Sequence, residues 1–266
     1  MISRFFRKMW PIFGAATSYT LFGLGAIILG LVFRLIDCFP FISSITKQNW
    51  IRYCIHIGCL AFINVMRLFG LIRYTFSLES MKQIKGRCLI IANHPSLIDV
   101  VLLFAVHKNL NCIVKGALWD NFFTGSVVRL AGFIPNNSAG VVSIAVEKLH
   151  AGENLLIFPE GSRSEDDCKF RFKRGASNVV VAADVAIMPV LIKCYPSALK
   201  KGQKWYIIPD GGAGFSLDSG HLLSLRECID TTKPKTLQYR DLTQFLEDYY
   251  EDWFVAGSPP VPNKNL

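Results

Sequence analysis

A chain of 266 residues is long enough for one catalytic domain and a modest extra element. Its 51% hydrophobic and 18% charged residues, with a mean hydropathy of +0.33, are unusual for an ordinary soluble protein. The whole excess of +9 falls in residues 1–87, where 11 basic side chains meet only Asp37 and Glu79, while the remainder is balanced. Those charges bracket hydrophobic runs instead of marking a folded polar face. That argues for the anionic surface of a bilayer and against nucleic acid. The eight cysteines form no C-x-x-C pair and sit mostly in apolar runs. They read as reduced, buried hydrophobes, and their spacings give no support to a disulfide framework or a zinc site.

From Met9 to Phe33 the chain runs 25 residues without a charge. As a helix this is roughly 37 Å long, enough to cross a hydrocarbon core of about 30 Å. Trp10 stands at its interfacial start, behind Arg4, Arg7 and Lys8. A cleaved signal peptide is disfavoured, because the run is too long and Cys38-Phe39-Pro40-Phe41 lacks small residues. A second run starts at Tyr53, is interrupted by Arg67 and resumes to Ile72. Two crossings, or two dips into one leaflet, both return the following chain to the side on which it began. A two-helix hairpin is expected, its depth open.

Beyond Gly86, short β-branched and leucine-rich runs alternate with helical stretches. Strands are expected at 88–92, 111–114, 154–158 and 187–193, and helices at 96–106, 141–150 and 176–183. Trp205–Ile208 reads as a further strand and 236–254 as a helix with solvated acidic faces. The pattern predicts a layered α/β domain with a largely parallel mixed sheet flanked by helices. The expected organisation is a membrane-associated two-helix segment over 1–80, the α/β domain over 81–256 and a flexible tail over 257–266.

Two polar turns follow buried strands. In the first, Ile90-Ile91-Ala92-Asn93-His94-Pro95-Ser96-Leu97-Ile98-Asp99, His94 stands where a strand gives way to a helix, with Pro95 suited to the first helical position. A neutral imidazole there can take the proton of an alcohol attacking a thioester, a contribution of roughly 10²–10⁴ in rate. A carboxylate on its other nitrogen fixes the tautomer, and Asp99 is the candidate. Backbone N–H groups near the helix start are expected to meet the oxyanion. Alone, this pair weighs no more than a capping histidine with a surface aspartate. The second turn, Pro159-Glu160-Gly161-Ser162-Arg163-Ser164, breaks the tie. It offers a carboxylate to hold a hydroxyl or orient Arg163, and a guanidinium to clamp a phosphate.

The first stretch resembles the N-H-x₄-D motif of the lysophospholipid and glycerol-phosphate acyltransferases, and Phe158-Pro159-Glu160-Gly161-Ser162-Arg163-Ser164 their F-P-E-G-[ST]-R-S motif. Gly132-Phe133-Ile134-Pro135 and Ile187-Met188-Pro189-Val190 fall where the second and fourth motifs belong. The resemblance implies an O-acyltransferase with His94 as base and Asp99 its partner. It implies acceptor handling by Glu160, Gly161 and Arg163, substrate binding also by Asn93 and Ser162, a phosphate contact at Lys115, and Met188 and Pro189 beside the acyl chain. Acyl-CoA or acyl-carrier protein would be co-substrate, with no bound cofactor or metal, a lipid acceptor and bilayer as partners, and no nucleic acid. The family implies a bacterial inner-membrane location, with the catalytic part facing the cytoplasm. The wider pattern is nearest to a bacterial subgroup encoded with aryl-polyene or other specialised lipid pathways. One departure concerns the acceptor: Asn136 and Asn137 stand where many members have an acidic residue and an arginine. No G-x-S-x-G elbow occurs. Lys169, Arg171, Lys173 and Arg174 suit the phosphates of coenzyme A or an acidic carrier, or are simply a solvated face. The rival readings are a thioesterase or lipid hydrolase using water, and a non-catalytic lipid-binding protein.

Overall fold

The computed structural model describes residues 2–84, 86–122, 124–163 and 169–260, without the side chains of 2–8 and 83. Ser164, Cys168 and the tail beyond 260 lie outside the described residues. In chain order the elements are α1 (Ile2–Asp37), α2 (Ser44–Leu68), β1 (Ile72–Ser77), β2 (Cys88–Ala92), α3 (Asp99–Val106), β3 (Leu110–Val114), α4 (Gly116–Trp119), α5 (Gly125–Leu130), β4 (Ile134–Pro135), α6 (Val141–His150), β5 (Asn154–Ile157), α7 (Gly175–Ala183), β6 (Ala186–Tyr195), β7 (Ala213–Ser219), α8 (Leu225–Cys228) and α9 (Lys235–Ala256). They fall into two compact units, each built from three stretches of chain.

The first unit comprises Met1–Arg73, Ser96–Ser138 and Cys194–Phe215. The uncharged run forms α1, as expected. The second apolar run lies in α2 only as far as Leu68, and its end at Ile72 instead opens β1; α2 itself begins well before Tyr53. Ser43 sets that start, its extended backbone letting the hydroxyl accept the Thr46 N–H at 3.2 Å. Small side chains at Gly14, Ala15 and Ser18 let α1 approach the end of α2 so closely that a Cβ on Gly14 would fall 2.7 Å from the Phe69 side chain. Phe22 meets Phe62 at 4.6 Å further along the pair. The opposite face of α1 leaves Leu21, Leu24, Ile28, Leu31 and Leu35 exposed at helical spacing. By length and composition both helices suffice to cross a membrane. α2 is also docked on protein: His56 Nδ1–H donates to Phe104 O and Arg52 Nε–H to Ala131 O, each at 2.8 Å. β3 and β4 pair in parallel within this unit.

The second unit comprises Tyr74–Pro95, Ala139–Lys193 and Ser216–Leu266. Its sheet runs β1-β7-β6-β2-β5. β2 lies parallel to β5, with Ile90 opposite Leu156, and parallel to β6, with Ile91 opposite Pro189. β7 runs antiparallel to β6, since Gly220 N–H reaches Pro189 O while Ile187 and Leu223 exchange both backbone bonds. All five β2 residues are buried, because a strand paired on both edges and covered on both faces has no solvated side. Burying each of Leu89, Ile90 and Ile91 contributes about 1.5–3 kcal/mol. Helix α6 packs on β5 and α7, and α7 on α9. The mixed, largely parallel sheet with helices packed on it, preceded by a helical hairpin, is the architecture the sequence predicted.

Three local expectations change. The helix expected from Ser96 starts at Asp99, and Pro95 is not its first residue. The backbone N–H groups of Ser96 and Leu97 donate instead to the Asp99 carboxylate and to Leu199 O. Trp205–Ile208 is not a strand; it turns, with Ile207 N–H donating to Lys204 O at 3.0 Å. β-propensity there finds no ladder to join. Strands β1 and β7 were not foreseen, because their alternation of buried with polar or small residues is weak in sequence.

Candidate active site

In the second unit the carboxyl end of β2 delivers Asn93 and His94. Asn93 is nearly buried, and its amide grips β6: Nδ2 donates to Ile192 O at 2.8 Å and Oδ1 accepts from Ile192 N at 2.7 Å. Two bonds of opposite polarity to one residue act as an extra rung beyond the last backbone pair, Ala92 with Val190. The motif asparagine, expected to bind substrate, anchors the strand end.

His94 follows, half-buried. Its ring stacks on Phe158 at 4.4 Å and 28°, and its backbone N–H donates to Glu160 Oε1 at 2.9 Å. Parallel pairing of β2 with β5 places the two strand ends side by side, so the two polar turns meet. Glu160 therefore has a use the sequence did not suggest: it ties the histidine's peptide group. Bonds of this kind, with an ionised acceptor, are about twice as strong as neutral ones.

The Pro159–Arg163 turn is tight. Gly161 has φ +69, and a Cβ there would fall 2.8 Å from Lys173 Nζ. Lys173 N–H also donates to Pro159 O at 2.9 Å, so this ammonium sits on the turn. Lys173 stood out earlier only as one of a basic run. Ser162 and Arg163 are half-buried. Downstream, Phe170 and Phe172 are buried and their N–H groups donate to Glu251 and Glu247 of α9. Two of the acidic residues expected on solvated faces thus hold the segment that follows the turn. Met188 is fully buried in β6 opposite Ile90, and Pro189 is buried opposite Ile91.

In the first unit Asp99 opens α3 with 0% exposure, and its Oδ2 reaches back to accept the Ser96 N–H at 2.6 Å. Three N–H groups of the first motif, on His94, Ser96 and Leu97, are thus committed to protein acceptors, and Pro95 has none. Lys115 is exposed at the end of β3. Asn136 holds that turn, with its N–H donating to Val114 O at 2.8 Å and its Oδ1 accepting the Gly116 N–H at 3.2 Å. Asn137 packs against Gly116. The asparagines that depart from the usual pattern are engaged with the Lys115–Gly116 turn. Among the described residues no cluster of three or more His, Cys, Asp or Glu side chains suits a metal ion.

Residues 73–193, which carry both turns, match the family model described as Acyltransferase. Over this segment the chain is similar to that family. It is 35% identical over 115 residues to a 1-acyl-sn-glycerol-3-phosphate acyltransferase of Helicobacter pylori strain J99, covering 40% of this chain and 48% of that one. It is 26% identical over 121 residues to the chloroplastic 1-acyl-sn-glycerol-3-phosphate acyltransferase LPAT1 of Arabidopsis thaliana, covering 43% and 34%. The matched stretches thus span less than half of these relatives. The fold is similar to that of the crystal structure of the 1-acyl-sn-glycerophosphate acyltransferase PlsC from Thermotoga maritima. The TM-score is 0.67 at 20% identity, covering 91% of this chain and 97% of that chain. Tyr250, which touches β2, lies outside the matched segment and carried no signal in the sequence.

Proposed function

We propose that this protein is a membrane-bound O-acyltransferase that moves a fatty acyl group from an acyl-CoA or acyl-carrier-protein thioester to a hydroxyl of a lysophospholipid-like or glycerol-phosphate-like acceptor. His94 takes the acceptor's hydroxyl proton as the oxygen attacks the thioester carbonyl. The C–S bond breaks, and the imidazolium returns the proton to the departing thiolate, with no acyl-enzyme. Asp99 is the partner that fixes the tautomer and stabilises the imidazolium. Lys115, Arg163 and Lys173 supply positive charge for phosphate groups.

The observation that carries this reading is His94 tethered to Glu160 at 2.9 Å, within a segment of acyltransferase sequence. A bilayer partner is supported by the exposed stripe Leu21, Leu24, Ile28, Leu31 and Leu35, which a soluble protein would bury. The basic N-terminal residues favour the cytoplasmic side.

The test is to incubate detergent-purified protein with acyl-CoA or acyl-carrier protein against a panel of lyso-acceptors, following products by mass spectrometry. Wild type should form a new ester lipid, and His94→Ala and Asp99→Asn should lose nearly all of it. Equal product from wild type and His94→Ala would end the mechanism, and thioester loss without ester would select a hydrolase.

A further inference from the structure

Within the second unit, β2 and β6 pair in register from Cys88 opposite Ala186 to Ala92 opposite Val190. At the top of this ladder a side-chain hydroxyl joins two facing backbone groups. The Tyr250 hydroxyl stands between them, accepting from Val190 N at 3.0 Å and donating to Ile91 O at 2.6 Å. One step further, the Asn93 amide replaces the backbone of β2 in bonding Ile192. The last stretch of β2 is therefore tied to β6 first by a hydroxyl and then by a side-chain amide. His94 is the next residue.

The phenol is fixed from behind. Tyr250 has 0% exposure, and its ring lies 5.6 Å from Phe170, 5.3 Å from Phe172 and 6.1 Å from Trp253. Burial holds its hydroxyl well above its ordinary pKa, and the nearby Glu160 carboxylate acts in the same direction. The group stays neutral and keeps its proton for Ile91. Phenylalanine would fill almost the same volume, so aromatic packing alone does not require the oxygen. What the oxygen adds is the bridge.

We infer that Tyr250 is a positioning residue for His94, its hydroxyl acting as a bridge between β2 and β6 that sets where the strand end presents the imidazole. This rests on the reading of His94 as the base. Without the hydroxyl the tie that it makes to Val190 N–H and Ile91 O is lost, and the end of β2 is free to shift against β6. That shift displaces the backbone three residues before the catalytic ring. Misplacement of about 1 Å is enough to cost up to roughly 100-fold in rate.

The test compares Tyr250→Phe with Tyr249→Phe, which removes a hydroxyl from the neighbouring residue of α9. Three quantities are read: melting temperature, kcat and KM for both substrates, and the His94 ring signals in protein labelled with ¹⁵N-histidine, assigned by their loss in His94→Ala. Tyr250→Phe should lower kcat roughly 10- to 100-fold, leave both KM values within about twofold, and move the His94 signals. Tyr249→Phe should change the melting temperature alone. Wild-type kcat in Tyr250→Phe, or unmoved His94 signals, would overturn the inference even if the protein melts earlier. If His94→Ala remains active, the general-base reading is what fails, and the His94 signals alone decide the positioning. Should Tyr250→Phe not fold, 3-fluorotyrosine at position 250 keeps the bridge while altering its donor strength. The His94 signals must then move, and unmoved signals overturn the inference.

Discussion

The backbone N–H of His94 donates to Oε1 of Glu160 at 2.9 Å, joining the ends of two parallel strands whose motifs are 66 positions apart. Because the bond is to the peptide group, it constrains the histidine without consuming a ring nitrogen. Losing a hydrogen bond to a charged group costs about 1.5–3 kcal/mol. Glu160→Ala should therefore lower kcat/KM by roughly 10- to 150-fold. Glu160→Gln, which keeps an acceptor oxygen, should retain more activity. Steady-state product formation by the three proteins checks the order.

Gly161→Ala tests the turn itself. A Cβ at φ +69 costs about 1–2 kcal/mol, and it would displace Lys173 Nζ, which stands 2.8 Å from that position. The variant should melt earlier than wild type. Its KM for the substrate whose phosphate Lys173 meets should rise more than kcat falls, as titrations of acceptor and donor would show.

The Lys115 turn gives a separable effect. Asn136→Ala strands the Gly116 N–H, at a cost of about 1–3 kcal/mol if water does not reach it. Both it and Lys115→Ala should raise the acceptor KM when the acceptor carries a phosphate. A neutral acceptor should show no such rise for Lys115→Ala. Parallel KM measurements on the two acceptor types decide it.

The thiols of Cys88, Cys112 and Cys228 are pushed up to about 12 by burial, with the Glu227 carboxylate adding to the effect at Cys228. In the unfolded chain they ionise near the ordinary 9. A folded value above the unfolded one contributes stability that is fully present below pH 9 and is lost as pH rises from 9 towards 12. Iodoacetamide at pH 8.5 should leave these three unmodified in native protein and label them after unfolding, as peptide mass spectrometry would report. Denaturant midpoints should fall above pH 9.

The turns that carry the candidate site were legible in sequence because they are local. The uncharged run, the two strand-end turns and their motif residues are each set by neighbours within a few positions, where strand, turn and helix preferences act. The family resemblance added roles to those same positions. Other assignments required the chain to close on itself. Glu160 as a tether for His94, Lys173 over Gly161, and Asn136 within the Lys115 turn are invisible in any short window. Trp205–Ile208 carried strand-like residues without a partner, whereas β7 carried a weaker pattern and found one on each side.

Amino-acid order by itself determined which residues can accept a proton, carry charge or lie in lipid, since those are properties of side chains. Tertiary structure alone decided which of them meet, because a hydrogen bond such as that from Tyr250 to Ile91, spanning 159 positions, exists only once parallel strands and a packed helix have fixed both ends.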